Sequence, residues 1–241
     1  MIFKIDSKSN TKIKDVIKLQ KPSESKAKGV FIAEGYHLLE MAIEANLVVS
    51  VFTTKKLNID PLIPQYLINE EIMEKISLLN TSQGVLTLVK TPKKSPELNN
   101  KVLYLDDISD PGNMGTIFRT ALAFGYNDIV VSKNSCYIYN PKVVQASQGA
   151  IFKLNIVEDD NYYLPRLKNL GYKVVVTYLR DSVSLKDVPQ LDKIVIVLGN
   201  EAHGVKDQIL SFADYKVRID IENIESLNVA IAGAIAMYEL K

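Results

Sequence analysis

Cysteine occurs once in this 241-residue chain, at Cys136, and histidine only twice, at His37 and His203. A lone thiol forms no internal disulfide, so the chain suits a reducing compartment and is expected in the cytoplasm. So few thiol and imidazole groups argue against a zinc site, and no metal is expected. No apolar run approaches the roughly 20 residues of a spanning helix, and the N-terminus lacks the apolar core of a signal peptide; no membrane partner is expected. Internal repeats and low-complexity tracts are absent. Net charge is nearly absent too, at +1, while 47% of the residues are hydrophobic, the composition of a soluble globular protein with a substantial core.

The charge that is present is uneven. The first 28 residues hold Lys4, Lys8, Lys12, Lys14, Lys18, Lys21, Lys26 and Lys28 against Asp6, Asp15 and Glu24. Such a segment reads as a solvated helix face or as a surface that attracts a phosphate backbone. Two prolines among polar residues from Thr91 to Asn100 mark a linker over 91–100. Before it, residues 1–90 read as a small α/β domain. Asn10 can cap a helix carrying Ile13, Val16, Ile17 and Gln20 at helical spacing, and Tyr36 to Ala45 reads as a second helix. Gly29 to Ala33, the β-branched Leu47 to Thr53, and Val85 to Val89 read as strands. Over 101–241, continuous apolar runs at Lys101–Leu105, Ile129–Ser132, Lys173–Thr177 and Ile194–Leu198 alternate with helices at Asn113–Phe124, Pro141–Ala150 and Tyr162–Leu170. Tyr215–Ile219 follows as a strand and Ser226–Leu240 as a helix. This alternation predicts an α/β fold with a parallel sheet covered on both faces.

Three turns in this second domain have the chemistry of a site. Asp110-Pro111-Gly112-Asn113 follows an apolar strand, at the end of a sheet where α/β proteins place ligands. Asn113 reads locally as a helix cap, and Arg119 lies about one and a half turns further on. Gly199-Asn200-Glu201-Ala202-His203-Gly204 ends another buried strand, with two glycines that permit close backbone approach. Its spacing is not a dinucleotide fingerprint, which argues against a nucleotide-dependent oxidoreductase. His203 reads as a solvent-facing loop histidine. Ser226 is a good N-cap for the last helix, and Asn228 in its first turn is harder to explain by propensity.

In this order and spacing the three turns resemble the motifs of the SpoU (TrmH) family of RNA ribose methyltransferases: Asn113, Gly115 and Arg119; Gly199, Glu201 and Gly204; Ser226-Leu227-Asn228-Val229-Ala230. The resemblance extends to Phe31-Ile32-Ala33-Glu34-Gly35, Thr81-Ser82-Gln83-Gly84-Val85 and Ser147-Gln148-Gly149-Ala150. It implies a deep trefoil knot in the second domain, an RNA-binding first domain, and a homodimer. It further implies S-adenosylmethionine as cofactor, contacted by Thr177, Leu198, Gly199, Asn200, Ile219, Ile221, Leu227 and Asn228. Arg119 would act on the ribose 2′-hydroxyl, with Asn113, Glu201, Ser226 and Asn228 as positioning groups. Lys12, Lys26, Lys28 and Arg119 would contact RNA, with rRNA favoured over tRNA. Asp220 stands where proline is common, and the loop Glu222–Glu225 is short for the family. A non-catalytic ribosome-assembly factor on the same fold is the alternative of another class.

Overall fold

The structure, a computed structural model, describes residues 1–159 and 162–240. It divides into two units, Met1–Pro92 with Tyr137–Phe152, and Lys93–Cys136 with Lys153–Lys241. The first begins with β1 (Ile2–Ile5), α1 (Thr11–Leu19), α2 (Pro22–Lys28), β2 (Val30–Glu34) and α3 (Tyr36–Glu44). It continues with β3 (Val48–Thr53), β4 (Gln65–Ile68), α4 (Glu70–Ile76) and β5 (Val85–Lys90). The sheet runs β1-β4-β3-β5-β2, parallel between β1, β4 and β3 and antiparallel from β3 through β5 to β2.

Asn10 caps α1 as its sequence suggests, its side chain accepting from the Lys12 N–H, and Ile13, Val16 and Leu19 turn inward. These residues pack with Phe52, Met73 and Leu86 in one core. The expected strand from Gly29 starts one residue later. Gly29, at φ 60°, instead ends α2, a helix that opens with Pro22 and buries only Ser25. The local signals of that helix are a proline inside its start and a glycine past its end, without an apolar stripe. The α4 helix likewise carries a readable signature, with Asn69 as cap, two acidic residues in the first turn, and Ile72, Met73 and Ile76 buried.

The chain then passes through β6 (Lys101–Leu105), α5 (Pro111–Ala123) and β7 (Asp128–Ser132) of the second unit. The segment with α6 (Pro141–Ser147) belongs to the first unit. This helix is shorter than the Pro141–Ala150 expected, because Gln148 adopts a left-handed φ of 48° that ends it. The second unit resumes with β8 (Asn155–Asp159), α7 (Tyr163–Asn169), β9 (Lys173–Thr177), β10 (Val183–Ser184) and β11 (Ile194–Leu198). It closes with α8 (Asp207–Leu210), β12 (Tyr215–Arg218) and α9 (Val229–Glu239). All seven strands are parallel, in the order β10-β12-β9-β11-β6-β7-β8.

The central strands β6, β9 and β11 are the continuous apolar runs of the sequence. Burial on both faces requires such runs, because neither face meets water. One polar device joins the core to a helix. The buried Tyr104 hydroxyl donates to Asp159 Oδ2 at 2.8 Å, and Asp159 Oδ1 accepts from the N–H groups of Tyr162 and Tyr163 at 2.7 and 3.0 Å. Burial, then the Asp159 charge, pushes the Tyr104 phenol far above its ordinary value. We expect Tyr104→Phe to lower the urea-unfolding free energy by about 1–3 kcal/mol, because Asp159 loses a buried donor; an unchanged midpoint would show that this bond adds no net stability.

Candidate active site

Strands β6 and β11 lie side by side at the switch point of the sheet, with β7 and β8 on one flank and β9, β12 and β10 on the other. Loops leaving adjacent strands at such a point diverge, which opens a crevice at their carboxyl ends. Here the two loops are stitched together. The Asp106 N–H donates to the Leu198 carbonyl at 2.8 Å, and Asn200 Nδ2 donates to the Asp107 carbonyl at 2.8 Å. The buried Asp106 carboxylate accepts from the Lys206 N–H at 3.0 Å, and the Lys206 ammonium lies 3.2 Å from Asp107. Within the second loop, Asn200 and Gly204 exchange backbone bonds at 3.0 and 2.9 Å. A Cβ on Gly199 would stand 2.5 Å from the Gly204 carbonyl carbon and the Val205 nitrogen, so close chain approach accounts for that glycine.

Asn113 does not cap α5. Asp110 does, accepting from the Asn113 N–H at 2.7 Å ahead of Pro111. The side chain of Asn113 is thereby released for another task. Nor does Ser226 cap the last helix, which begins at Val229 rather than 226; the cap is Asn228, whose Oδ1 accepts from the N–H groups of Ala230 and Ile231. With its oxygen so engaged, Asn228 Nδ2 donates to Asn113 Oδ1 at 2.9 Å, and Asn113 Nδ2 donates to Glu201 Oε1 at 2.8 Å. Ser109 Oγ completes the chain to Glu201 Oε2 at 3.4 Å. One residue from each of three distant turns is thus joined, and each amide has its orientation dictated by its neighbours.

No hydrogen bond joins Arg119 or Ser226 to this chain. Arg119 is exposed on α5, without an ion pair among the described residues, and Ser226 is exposed in the loop before α9. His203 is exposed, as its sequence context suggests. Sequence reasoning passed over Ser109, Asp110 and Lys206 as site residues; the Asp-Pro pair at a strand-to-helix turn was the available signal.

The residues expected to hold a cofactor lie at the carboxyl ends of neighbouring strands. Thr177 ends β9, its hydroxyl donating to the Val197 carbonyl at 3.1 Å. Leu198 ends β11 and Gly199 and Asn200 follow it, whereas Ile219, Ile221, Leu227 and Asn228 occupy the segment from β12 to α9. Among the described residues no backbone–backbone hydrogen bond involves 220–227. Its N–H and C=O groups therefore have no main-chain partner there and stand open to solvent or to a ligand held by main-chain contacts. Asp220 anchors this segment: its carboxylate accepts from Ser184 Oγ at 2.6 Å and lies 3.2 Å from Arg218, and the Ser184 bond leads in holding its pKa below the ordinary value.

The lysines singled out by charge sit on the first unit. Lys12 lies over the Tyr66 ring at 5.9 Å, Lys26 over Tyr137 at 5.3 Å, and Lys28 pairs with Asp15 at 3.7 Å. All three are exposed. Among the described residues no group of three His, Cys, Asp or Glu is placed to hold a metal ion, and no helix is long and apolar enough to cross a membrane. Burial, then the nearby charges of Asp110 and Glu201, pushes the Cys136 thiol up to about 11. Thiolate is the reactive form, so Cys136 in the folded protein should alkylate far more slowly than free cysteine at pH 8, with the rate climbing toward pH 11. Alkylation at the rate of free cysteine would contradict this environment.

Similarity to known proteins coincides with this geometry. A model of the SpoU rRNA methylase family matches residues 100–238, and one of the MRM3-like substrate binding domain matches residues 10–87. The chain is 30% identical to the 23S rRNA (guanosine(2553)-2′-O)-methyltransferase RlmP of Bacillus subtilis, over 98% of each chain. An AdoMet-bound rRNA methyltransferase from Sinorhizobium meliloti superimposes with a TM-score of 0.88 at 24% identity, covering 99% of this chain and 97% of that one. A TrmH-family structure from Porphyromonas gingivalis gives 0.86 at 27% identity, covering 97% of this chain and 98% of that one.

Proposed function

The chain belongs to the SpoU rRNA methylase family, and from that membership we propose that it methylates a ribose 2′-hydroxyl of ribosomal RNA with S-adenosylmethionine as donor. The observation that carries this reading is the hydrogen-bond chain Asn228–Asn113–Glu201, which unites the three motif turns at the carboxyl end of the sheet. When bound, S-adenosylmethionine supplies a methyl carbon made electrophilic by its sulfonium. The main-chain groups of 220–227, with Thr177, Leu198, Gly199, Asn200 and Ile219, are the residues that would hold it.

The protein must then place one hydroxyl and manage its proton. Arg119, exposed and without an ion pair among the described residues, is the group that meets the RNA. Its guanidinium is too basic to act as a neutral base at pH 7. It binds the phosphate next to the target ribose and stabilises the negative charge that develops on the 2′-oxygen. Asn113 and Asn228 keep the first turns of α5 and α9 together beneath that ribose, with Glu201 fixing the intervening loop. Ser226, exposed and without a side-chain hydrogen bond among the described residues, is left to the substrates. Because the acceptor is a 2′-hydroxyl, DNA is not a substrate.

Lys12, Lys26 and Lys28 extend the RNA contact over the first unit. The segments from β11 to α9 form the family's trefoil knot, an exception to ordinary chain topology. The protein works in the cytoplasm as a homodimer. Support for the dimer comes from α9, which presents Ile231, Ile235 and Tyr238 to solvent at 54%, 36% and 55% exposure. These positions recur at helical spacing and form an apolar stripe on a helix already buried along its other side.

The defining assay is transfer of labelled methyl to unmodified rRNA and, separately, to tRNA, with the position mapped as an alkali-resistant phosphodiester. We expect label in rRNA at one such step. Label in tRNA alone would overturn the target, and RNA binding with no transfer would make the protein an assembly factor. Arg119→Ala should reduce transfer at least about a hundredfold, as removal of one charge-stabilising donor does, while S-adenosylmethionine still binds; full turnover would remove Arg119 from the mechanism. In sedimentation, Ile231→Glu with Ile235→Glu should convert a dimer to monomers, and a monomeric wild type would refute the assembly.

A further inference from the structure

The three sequence segments that the methyl-transfer site leaves unused converge elsewhere. Ile32 and Glu34 of β2, Leu78 and Leu79 ahead of Thr81, and α6 with Gln148 surround a cavity of about 350 Å³. All of these residues belong to the first unit. Both walls are braced. The buried Glu34 carboxylate accepts from the Leu78 N–H at 2.9 Å and from Ser82 Oγ at 3.1 Å, and it also takes the Ser77 hydroxyl. On the other side, the Gln148 carbonyl meets His37 Nε2 at 3.3 Å. Gly149, at φ 86°, packs so closely that a Cβ there would lie 2.8 Å from Met41 Cγ. A cavity held from both sides is pre-formed, as binding pockets usually are.

Its lining has two parts. Ile32, Leu78, Leu79, Pro141 and Ala146 give flat aliphatic walls. Two polar groups are left over among the described residues: the side-chain amide of Gln145, which forms no hydrogen bond, and the exposed ammonium of Lys142, which forms no ion pair. An amide offers one donor face and one acceptor face, which matches the edge of a nucleobase, and an ammonium beside it suits a phosphate. Enzymes that act on nucleic acid hold an extruded base between aromatic or apolar side chains and read its edge by hydrogen bonds, and apolar walls with an edge-reading amide provide both. We propose that this cavity receives one unpaired nucleobase of the RNA substrate, with Gln145 reading its edge and Lys142 holding its phosphate. The inference rests on the RNA reading above, and it gives the first unit a base-specific pocket besides its lysine surface.

The test uses the full-length protein and an unmodified 23S rRNA transcript carrying 4-thiouridine. Photo-crosslinks should fall within residues 141–148. Gln145→Ala, Lys142→Ala and the pocket-filling Ala146→Phe should each weaken RNA binding by roughly tenfold, the scale of one lost base contact, and raise KM for RNA more than they lower kcat. S-adenosylmethionine affinity should be unaltered. Gln145→Ala changes a half-buried side chain without altering packing volume in the core, so it remains informative if Ala146→Phe fails to fold. Wild-type RNA affinity in Gln145→Ala and Lys142→Ala, with crosslinks confined to other segments, would overturn the pocket and leave the methyltransferase reading standing. A wild-type protein that neither binds nor methylates the transcript would overturn both.

Discussion

Everything at the candidate active site depends on one short chain of amide hydrogen bonds. Asn228 spends its oxygen on the N-terminus of α9 and its nitrogen on Asn113; Asn113 spends its oxygen on Asn228 and its nitrogen on Glu201. Each group is both donor and acceptor, so no amide can flip without losing two bonds. A local capping interaction is converted in this way into a link across the unit. Asp110 performs the complementary service by capping α5, which leaves the Asn113 side chain available. The resulting geometry is the kind of pre-organisation that a reaction limited by placement of one hydroxyl requires.

The sheet supplies the platform for this link. Seven parallel strands with valine-rich centres direct all their carboxyl ends to one edge, and the switch between β6 and β11 parts the loops there. Small residues let the last helix close on this platform. A Cβ on Gly233 would lie 2.6 Å from Leu198 Cδ1, so the glycine lets α9 seat against the end of β11 without displacing the Leu198 side chain. Helix α9 has almost no amphipathic contrast: Val229, Ala230, Ala236 and Met237 are buried while Ile231, Ile235 and Tyr238 are not. A helix apolar on every side is suited to burial on every side, and its outer stripe is the face from which the proposed assembly follows.

Much of the fold was readable because burial leaves a local trace. The runs Lys101–Leu105, Lys173–Thr177 and Ile194–Leu198 appear as strands with the same bounds in the structure. Elements without such a trace were missed. Strand β1 has three of its four residues exposed, β8 has only Ile156 and Val157 between Asn155 and the acidic pair Glu158 and Asp159, and β10 is two residues long. Helix α2 buries only Ser25. For these three strands, pairing with a neighbouring strand supplies the stability that an apolar pattern would otherwise announce, and pairing is invisible in a linear pattern.

The α/β class, the parallel sheet and the residues of the three motif turns are legible in the chain's linear order, because strand burial and glycine placement are local properties. Which polar groups meet is a matter of folding. Serine and asparagine are comparable N-caps, and nothing local selects Asn228 over Ser226. The choice follows from a second donor on Asn228 that reaches Asn113, 115 residues away in sequence. Glu201 meets Asn113 across 88 residues, and Gln148 meets His37 across 111. Hydrogen bonds of such separation exist only once the sheet has brought its strand ends together, so their partners are properties of the fold rather than of any segment.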